Sequence, residues 1–285
     1  MFVPGPSEVD EPALAAYLDE LVPDAERLGV PLGMPRHDDD GYAEKLEVLE
    51  ADPVAVVSFT FGAPDASTVR RLHAVGTRVV VTVTGPDEAA LAAAVGADAL
   101  CVQGSEAGGH HSRFRNDEAA LSPSPLLDAL AAVGGATSLP MLAAGGIATG
   151  RRMAAVLDAG AVAVQIGTAL LAATEAGTNA THRGALTDPG FTGTMLTRAF
   201  TGRPARGIRN RFMAAHPSAP AAYPQIHHAT RALRAAAAER GIADALHLWA
   251  GVEYRRARSD PAGVILERLV EEWRATRNPS TGADR

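Results

Sequence analysis

Leu100-Cys-Val-Gln103-Gly-Ser-Glu106-Ala-Gly108-Gly-His110-His-Ser112 passes from an apolar run into a loop of three glycines, one carboxylate and two imidazoles. That transition is the signature of the carboxyl end of a buried parallel strand. In open sheets and barrels of parallel strands, ligands sit at those ends. Glycines admit backbone close to a ligand, and His110 supplies a side chain able to exchange a proton near neutral pH. The active site is therefore expected here.

Working outward, the chain alternates strand and helix. Apolar runs at Phe2, Val54–Phe59, Arg78–Val83, Ala99–Gln103, Pro140–Ala144 and Ala161–Ile166 read as six strands. Helical spacing spans Glu11–Leu28, Tyr42–Leu49, Ala66–Val75, a segment opening at Pro86, Pro125–Val133 and Gly150–Leu157, with a further helix from Thr168 to about Thr174. Strands that are apolar throughout, separated by helices, imply a parallel sheet covered on both faces. The even spacing favours an α/β fold of (β/α)8 TIM-barrel type, and a closed barrel needs eight strands. The expectation is a barrel lacking about two N-terminal βα units. Residues 1–174 are assigned to it, 175–240 to a small inserted α/β domain, and 241–285 to C-terminal return helices.

Beyond Glu175 the alternation breaks. Asn179–Ala185 reads as helix, Thr192–Phe200 as strand, Thr201–Arg206 as a basic loop and Pro217–Pro224 as a linker. Gln225–Glu239 and Pro261–Trp273 read as helices, and the last dozen residues as frayed.

Ala143-Ala-Gly145-Gly146-Ile147 ends one strand, and Gln165-Ile166-Gly167-Thr168 ends the next. Glycine at a strand-to-helix turn bares backbone N–H groups, a following helix N-terminus adds partial positive charge, and Thr168 adds a hydroxyl. Two such turns on consecutive strands predict a phosphate site. In (β/α)8 barrels that site follows strands seven and eight. Here it follows the fifth and sixth visible strands, which again places the absent units at the front.

The remaining composition narrows the function. With 285 residues, 47% of them hydrophobic, the chain can bury one large core. Twenty-six basic against 33 acidic residues give a net charge of -7, which argues against a nucleic-acid binder. No run reaches the length of a membrane span and no secretory signal is visible, so a cytoplasmic protein is expected. The single cysteine, Cys101, lies inside an apolar run and reads as a buried, inert thiol. The adjacent pairs His110-His111 and His227-His228 lack the spacing of metal ligands, and no metal is expected. Glu106 reads either as a base or, more simply, as a carboxylate capping its own loop. Asp38-Asp39-Asp40 reads as a solvated run rather than a cation site. Arg203, Arg206, Arg209 and Arg211 either bind an anionic substrate or coat the inserted domain.

Taken together, Gln103-Gly-Ser-Glu-Ala-Gly-Gly-His110, Ala143–Ile147, Val164–Thr168, Thr201-Gly-Arg-Pro-Ala-Arg206 and Leu248-Trp-Ala-Gly251 resemble the nitronate monooxygenase family, formerly called 2-nitropropane dioxygenases. The resemblance implies an FMN-dependent (β/α)8 barrel with a small inserted domain. It implies oxidation of alkyl nitronates, and of nitroalkanes as further substrates, with dioxygen to carbonyl compounds and nitrite. Carried over by position, Gln103 and Gly108 contact the flavin. Gly145, Gly146, Gln165, Ile166, Gly167 and Thr168 hold FMN and its phosphate, and His110 is the catalytic histidine. Two departures stand out: Ser112 replaces a glycine usual in the family, and the family's opening strand and glycine-rich turn have no counterpart. His110 has two roles open to it, deprotonating a nitroalkane or donating to nitro oxygens; His111 should point elsewhere. The expected partners are a small nitronate or nitroalkane and dioxygen, with homo-oligomerisation left open. Two rival functions are a flavin-dependent enoyl-thioester reductase using NAD(P)H and a non-catalytic remnant unable to retain FMN.

Overall fold

A computed structural model describes residues 1–5 and 9–277. The strands are β1 (Val56–Phe59), β2 (Arg78–Val83), β3 (Ala99–Gln103), β4 (Gly109–His110), β5 (Met141–Ala144), β6 (Ala163–Gln165), β7 (Thr194–Thr197) and β8 (Ala205–Ile208). The helices are α1 (Glu11–Leu28), α2 (Tyr42–Ala51), α3 (Ala66–Ala74), α4 (Pro86–Ala94), α5 (Leu126–Gly134) and α6 (Gly150–Asp158). They continue with α7 (Ala180–Ala185), α8 (Arg211–Ala215), α9 (Gln225–Ala229), α10 (Arg231–Glu239) and α11 (Ala262–Arg277).

The fold is α/β with a parallel sheet in the order β1-β2-β3-β5-β6, every pairing parallel. Phe2 forms a parallel bridge to Thr60 and adds the first run of the chain beside β1. Each connection crosses over through a helix, as parallel pairing demands. Helix starts are set locally: Asp10, Asp65 and Thr149 each accept a hydrogen bond from an N–H three residues on, at 3.0, 2.9 and 3.2 Å. The register aligns the carboxyl ends, with Gln103 opposite Ala144 and Ala144 opposite Gln165. All three ends therefore open on one rim.

Two cores form. The first gathers Phe59, Val81, Leu100, Leu130, Ala143 and Val156 between the sheet and its helices, and Ile265 and Leu269 of α11 join it. The second gathers Leu21, Leu28, Phe200, Ile208, Phe212, Ile226 and Leu233 around an antiparallel sheet of order β4-β8-β7. The expected division at residue 174 does not follow these cores. Leu14, Tyr17, Leu21 and Leu28 turn the apolar face of α1 into the second core, where the Tyr17 hydroxyl donates to Ala199 O at 2.7 Å. Leu246, Leu248, Ala250 and Tyr254 belong there too.

Other expectations are corrected by non-local contacts. Ala205 and Arg206, expected in a loop, lie in β8 because Gly109 and His110 pair with them across the chain. The expected helix Gln225–Glu239 breaks at Thr230, whose hydroxyl donates to Phe200 O at 2.5 Å. After Gly167 the chain makes only a 3₁₀ turn, Thr168–Leu170, rather than a helix. At the C-terminus α11 runs to Arg277, and residues 278–285 lie outside the described residues.

Candidate active site

Gln103, the last residue of β3, holds the histidine loop by its side chain. Its Nε2 donates to His110 O at 3.1 Å and its Oε1 accepts from Ser112 N at 2.8 Å. Both ends of one amide are thus satisfied by the loop backbone. Pairing of β4 with β8 fixes the same residues from the other side, and His111 N donates to Pro204 O at 2.8 Å. Ser112, the departure from the family pattern, enters this clamp through its N–H, a contact any non-proline residue can make.

The His110 ring packs among Phe61, Tyr223 and Trp249, with centroids 5.7, 5.8 and 5.8 Å away. Its Nε2 lies 2.9 Å from the Thr201 hydroxyl. Burial pushes its pKa down to about 3, helped by the positive charge of Arg203 and by His227, Arg234 and His247. The imidazole is therefore neutral at neutral pH. Phe61 adopts a left-handed φ of 71°, rare for a bulky residue, and the Arg203 guanidinium stacks on its face at 3.9 Å. His111 is buried apart from His110, and burial lowers its pKa to about 4.

The two glycine turns lie on neighbouring strands, β5 and β6. Gly145 and Gly146 have φ of 118° and 64°, so both need a residue without a Cβ. Among the described residues, the N–H groups of Gly146, Ile147, Gly167 and Thr168 make no main-chain hydrogen bond. Thr168 Oγ1 accepts from Gly251 N at 2.9 Å, which leaves its proton available. Bare donors converging on one cleft suit an anion. The expected contribution of the α6 N-terminus is corrected: Glu272 accepts from Gly150 N at 2.9 Å, and Thr149 caps Arg152 N. A carboxylate of α11 already neutralises that end, so the turns themselves supply the donors.

A cleft of about 270 Å³ is lined by Gln103, Gly108, Gly145, Gly146, Gln165, Gly167 and Thr168, among others. Ile166 and His110 do not line it; His110 stands behind Gly109 and Trp249, which do. Gly108 has a second reason to lack a side chain: an added Cβ would lie 2.4 Å from Gly251 N. Trp249, Gly251 and Glu253 also line the cleft. Sequence reasoning gave them no role, although Leu248-Trp-Ala-Gly251 was the available signal.

Most of the ambiguous charges have partners. Glu106 pairs with Arg152 at 2.5 Å and accepts from Leu126 N at 2.9 Å, capping α5 rather than its own loop. Asp38 pairs with His228 at 2.7 Å and Asp40 with Lys45 at 2.5 Å. Arg206 donates to Ser105 O at 2.6 Å and to the Thr194 hydroxyl at 3.1 Å. Arg211 pairs with Asp24, Arg209 is exposed, and Arg203, only 5% exposed, donates to Arg113 O. Cys101 is buried with its Sγ 3.3 Å from Gln165 Oε1, and burial pushes its thiol up to about 11. Among the described residues no three His, Cys, Asp or Glu side chains group as metal ligands, and no helix is long and apolar enough to cross a membrane.

The chain is similar to known proteins along most of its length. The family profile for nitronate monooxygenase matches residues 1–272. A nitronate monooxygenase of Pseudomonas aeruginosa is 44% identical over 287 aligned positions, spanning 96% of this chain and 80% of the relative. A probable nitronate monooxygenase of Staphylococcus aureus is 35% identical over 80% of this chain and 65% of its own length. The solved structure of nitroalkane oxidase from Streptomyces ansochromogenes superposes with a TM-score of 0.95 at 48% identity, covering 98% of this chain and 80% of that one. FabK from Thermotoga maritima superposes with a TM-score of 0.69 at 26% identity, covering 84% and 74%.

Proposed function

The chain belongs to the nitronate monooxygenase family, and from that premise we propose that it binds FMN and oxidises alkyl nitronates with dioxygen to carbonyl compounds and nitrite. Nitroalkanes are further substrates in this reading. The observation that carries it is the pair of neighbouring turns with undonated N–H groups, one aromatic ring away from a neutral histidine. The cleft fits the cofactor. Gly167, where nothing lies within 4 Å of an added Cβ, leaves open space against bare backbone, and Thr168 keeps a hydroxyl proton to donate; Gly145 and Gly146 let the turn close against Ala107 and Glu106. Gln165 and Gln103 line the same cleft. We read the six parallel runs as consecutive strands of a (β/α)8 barrel and the second core as its inserted domain.

Bound FMN would supply the redox chemistry between substrate and dioxygen that a protein side chain cannot. The chain's own residues do the rest. Backbone N–H groups of Gly146, Ile147, Gly167 and Thr168 would hold the phosphate. Gln103 fixes the His110 backbone, and Phe61, Tyr223 and Trp249 flank the imidazole and limit its contact with water. His110, neutral at working pH, either accepts a proton from a nitroalkane or meets the nitro group as a donor. A single buried thiol accords with a reducing cytoplasm.

Purified protein should show flavin absorbance and consume oxygen in step with nitrite release from an alkyl nitronate. Oxidation of NAD(P)H with an enoyl thioester, without nitronate turnover, would move the assignment to the reductase. Colourless protein that takes up no added FMN would move it to a non-catalytic role.

A further inference from the structure

Thr201 is 1% exposed, so water does not reach its hydroxyl and protein groups must satisfy it. Three atoms surround Oγ1: His110 Nε2 at 2.9 Å, Arg203 O at 3.1 Å and Arg203 N at 3.4 Å. A hydroxyl has one proton and two lone pairs. Arg203 N–H can only donate, so it takes one lone pair. Arg203 O can only accept, so it takes the proton. One lone pair remains for His110, and a lone pair needs a donor. His110 Nε2 must therefore carry hydrogen. In a neutral imidazole the other nitrogen is then bare. Among the described residues nothing hydrogen-bonds to His110 Nδ1, and His110 is only part-buried.

We propose that Thr201 is a positioning residue that fixes His110 as the Nε2–H tautomer, so that Nδ1 is the atom that takes a proton from a neutral nitroalkane. This rests on the functional reading above and decides between the two roles left to the histidine. The step balances within substrate and imidazole. The Cα–H bond of the nitroalkane breaks, an Nδ1–H bond forms, and the electron pair moves into the nitro group. The products are a nitronate anion and an imidazolium whose Nε2–H stays on Thr201. A preformed nitronate skips this step. The opposite tautomer would leave Nδ1 unable to accept a proton and press the Thr201 oxygen against Arg203 O with no proton between them.

The test combines a spectrum with a substrate comparison. In protein labelled with ¹⁵N-histidine, with His110 assigned by its loss in His110→Gln, Nε2 should carry the proton and Nδ1 none. Thr201→Ser should keep that pattern, and Thr201→Val should give a mixture of tautomers. With FMN bound, Thr201→Val should lose kcat/KM on a neutral nitroalkane at least about ten-fold more than on the matching nitronate, and Thr201→Ser should restore the ratio. A proton on Nδ1 in the unaltered protein overturns the proposal, and so do equal losses on both substrates. If Thr201→Val fails to fold, the spectra of the unaltered chain and of Thr201→Ser still decide the tautomer. If the unaltered chain turns over neither substrate, the functional reading fails, while the spectrum separately supports or overturns the tautomer.

Discussion

Burial of uncharged imidazoles around the active site gives the protein a pH dependence of stability with a definite sign. His110 and His247 are held down to about 3, and His111 and His227 to about 4, chiefly by desolvation, against an ordinary value of 6.5. Between those limits the unfolded chain binds more protons than the folded one. Stability therefore rises with pH across the window and is lost as pH falls from about 6.5 towards 3, by up to about 1.4 kcal/mol per pH unit for each imidazole. Urea midpoints between pH 7 and pH 4 should drop steeply, and a flat profile would contradict the burial. The two cradle glycines separate binding from folding. At Gly167 nothing lies within 4 Å of an added Cβ and φ is −119°, so Gly167→Ala should leave thermal stability within about 0.5 kcal/mol. It should nonetheless weaken FMN, followed by fluorescence titration, about ten-fold through intrusion on the phosphate. Gly146→Ala should lose both, since φ is 64° and the new Cβ would meet Glu106 Cβ at 2.8 Å.

At the scale of elements, α11 docks on α6 through a missing side chain. A Cβ on Gly150 would stand 2.1 Å from Trp273 N, where helix backbones nearly touch. Gly150→Ala should cost about 1–3 kcal/mol as overpacking, read as a lower unfolding midpoint, and loosen the carboxylate of Glu272 from the α6 N-terminus. The parallel strands were readable because each is a local apolar run ending in a polar or glycine-rich turn; Arg78–Val83 and Ala99–Gln103 fall where periodicity placed them. The short antiparallel strands were not. β4 is only Gly109–His110, and it becomes a strand through pairing with Ala205 and Arg206, far along the chain. Nothing in the local pattern of Thr201–Arg206 carries that pairing. Likewise the cradle glycines were visible as glycine pairs, whereas the capping of α6 by Glu272 depends on a helix more than a hundred residues away.

Across the whole molecule, the site lies where two cores meet. The cradle rises from the parallel sheet, while Thr201, Tyr223 and Trp249 come from segments around the second core. Helix α1 ties the beginning of the chain to that second core, with Leu21 fully buried and His216 bridging Glu20 at 2.5 Å and Asp24 at 2.7 Å. Its amphipathic spacing announced a helix but not which core would receive it, because both present apolar surface. Leu21→Ala should cost about 2–5 kcal/mol and, through the second core, loosen the surroundings of His110; calorimetry together with the His110 spectrum checks both. Cys101 offers a last use. Sealed in the central strand, with its proton held tightly, the lone sulfur is inert to alkylating reagents while the sheet is closed. Its rate of modification then works as a built-in clock for opening of the parallel strands, needing no introduced label and reporting from beside the Gln165 amide.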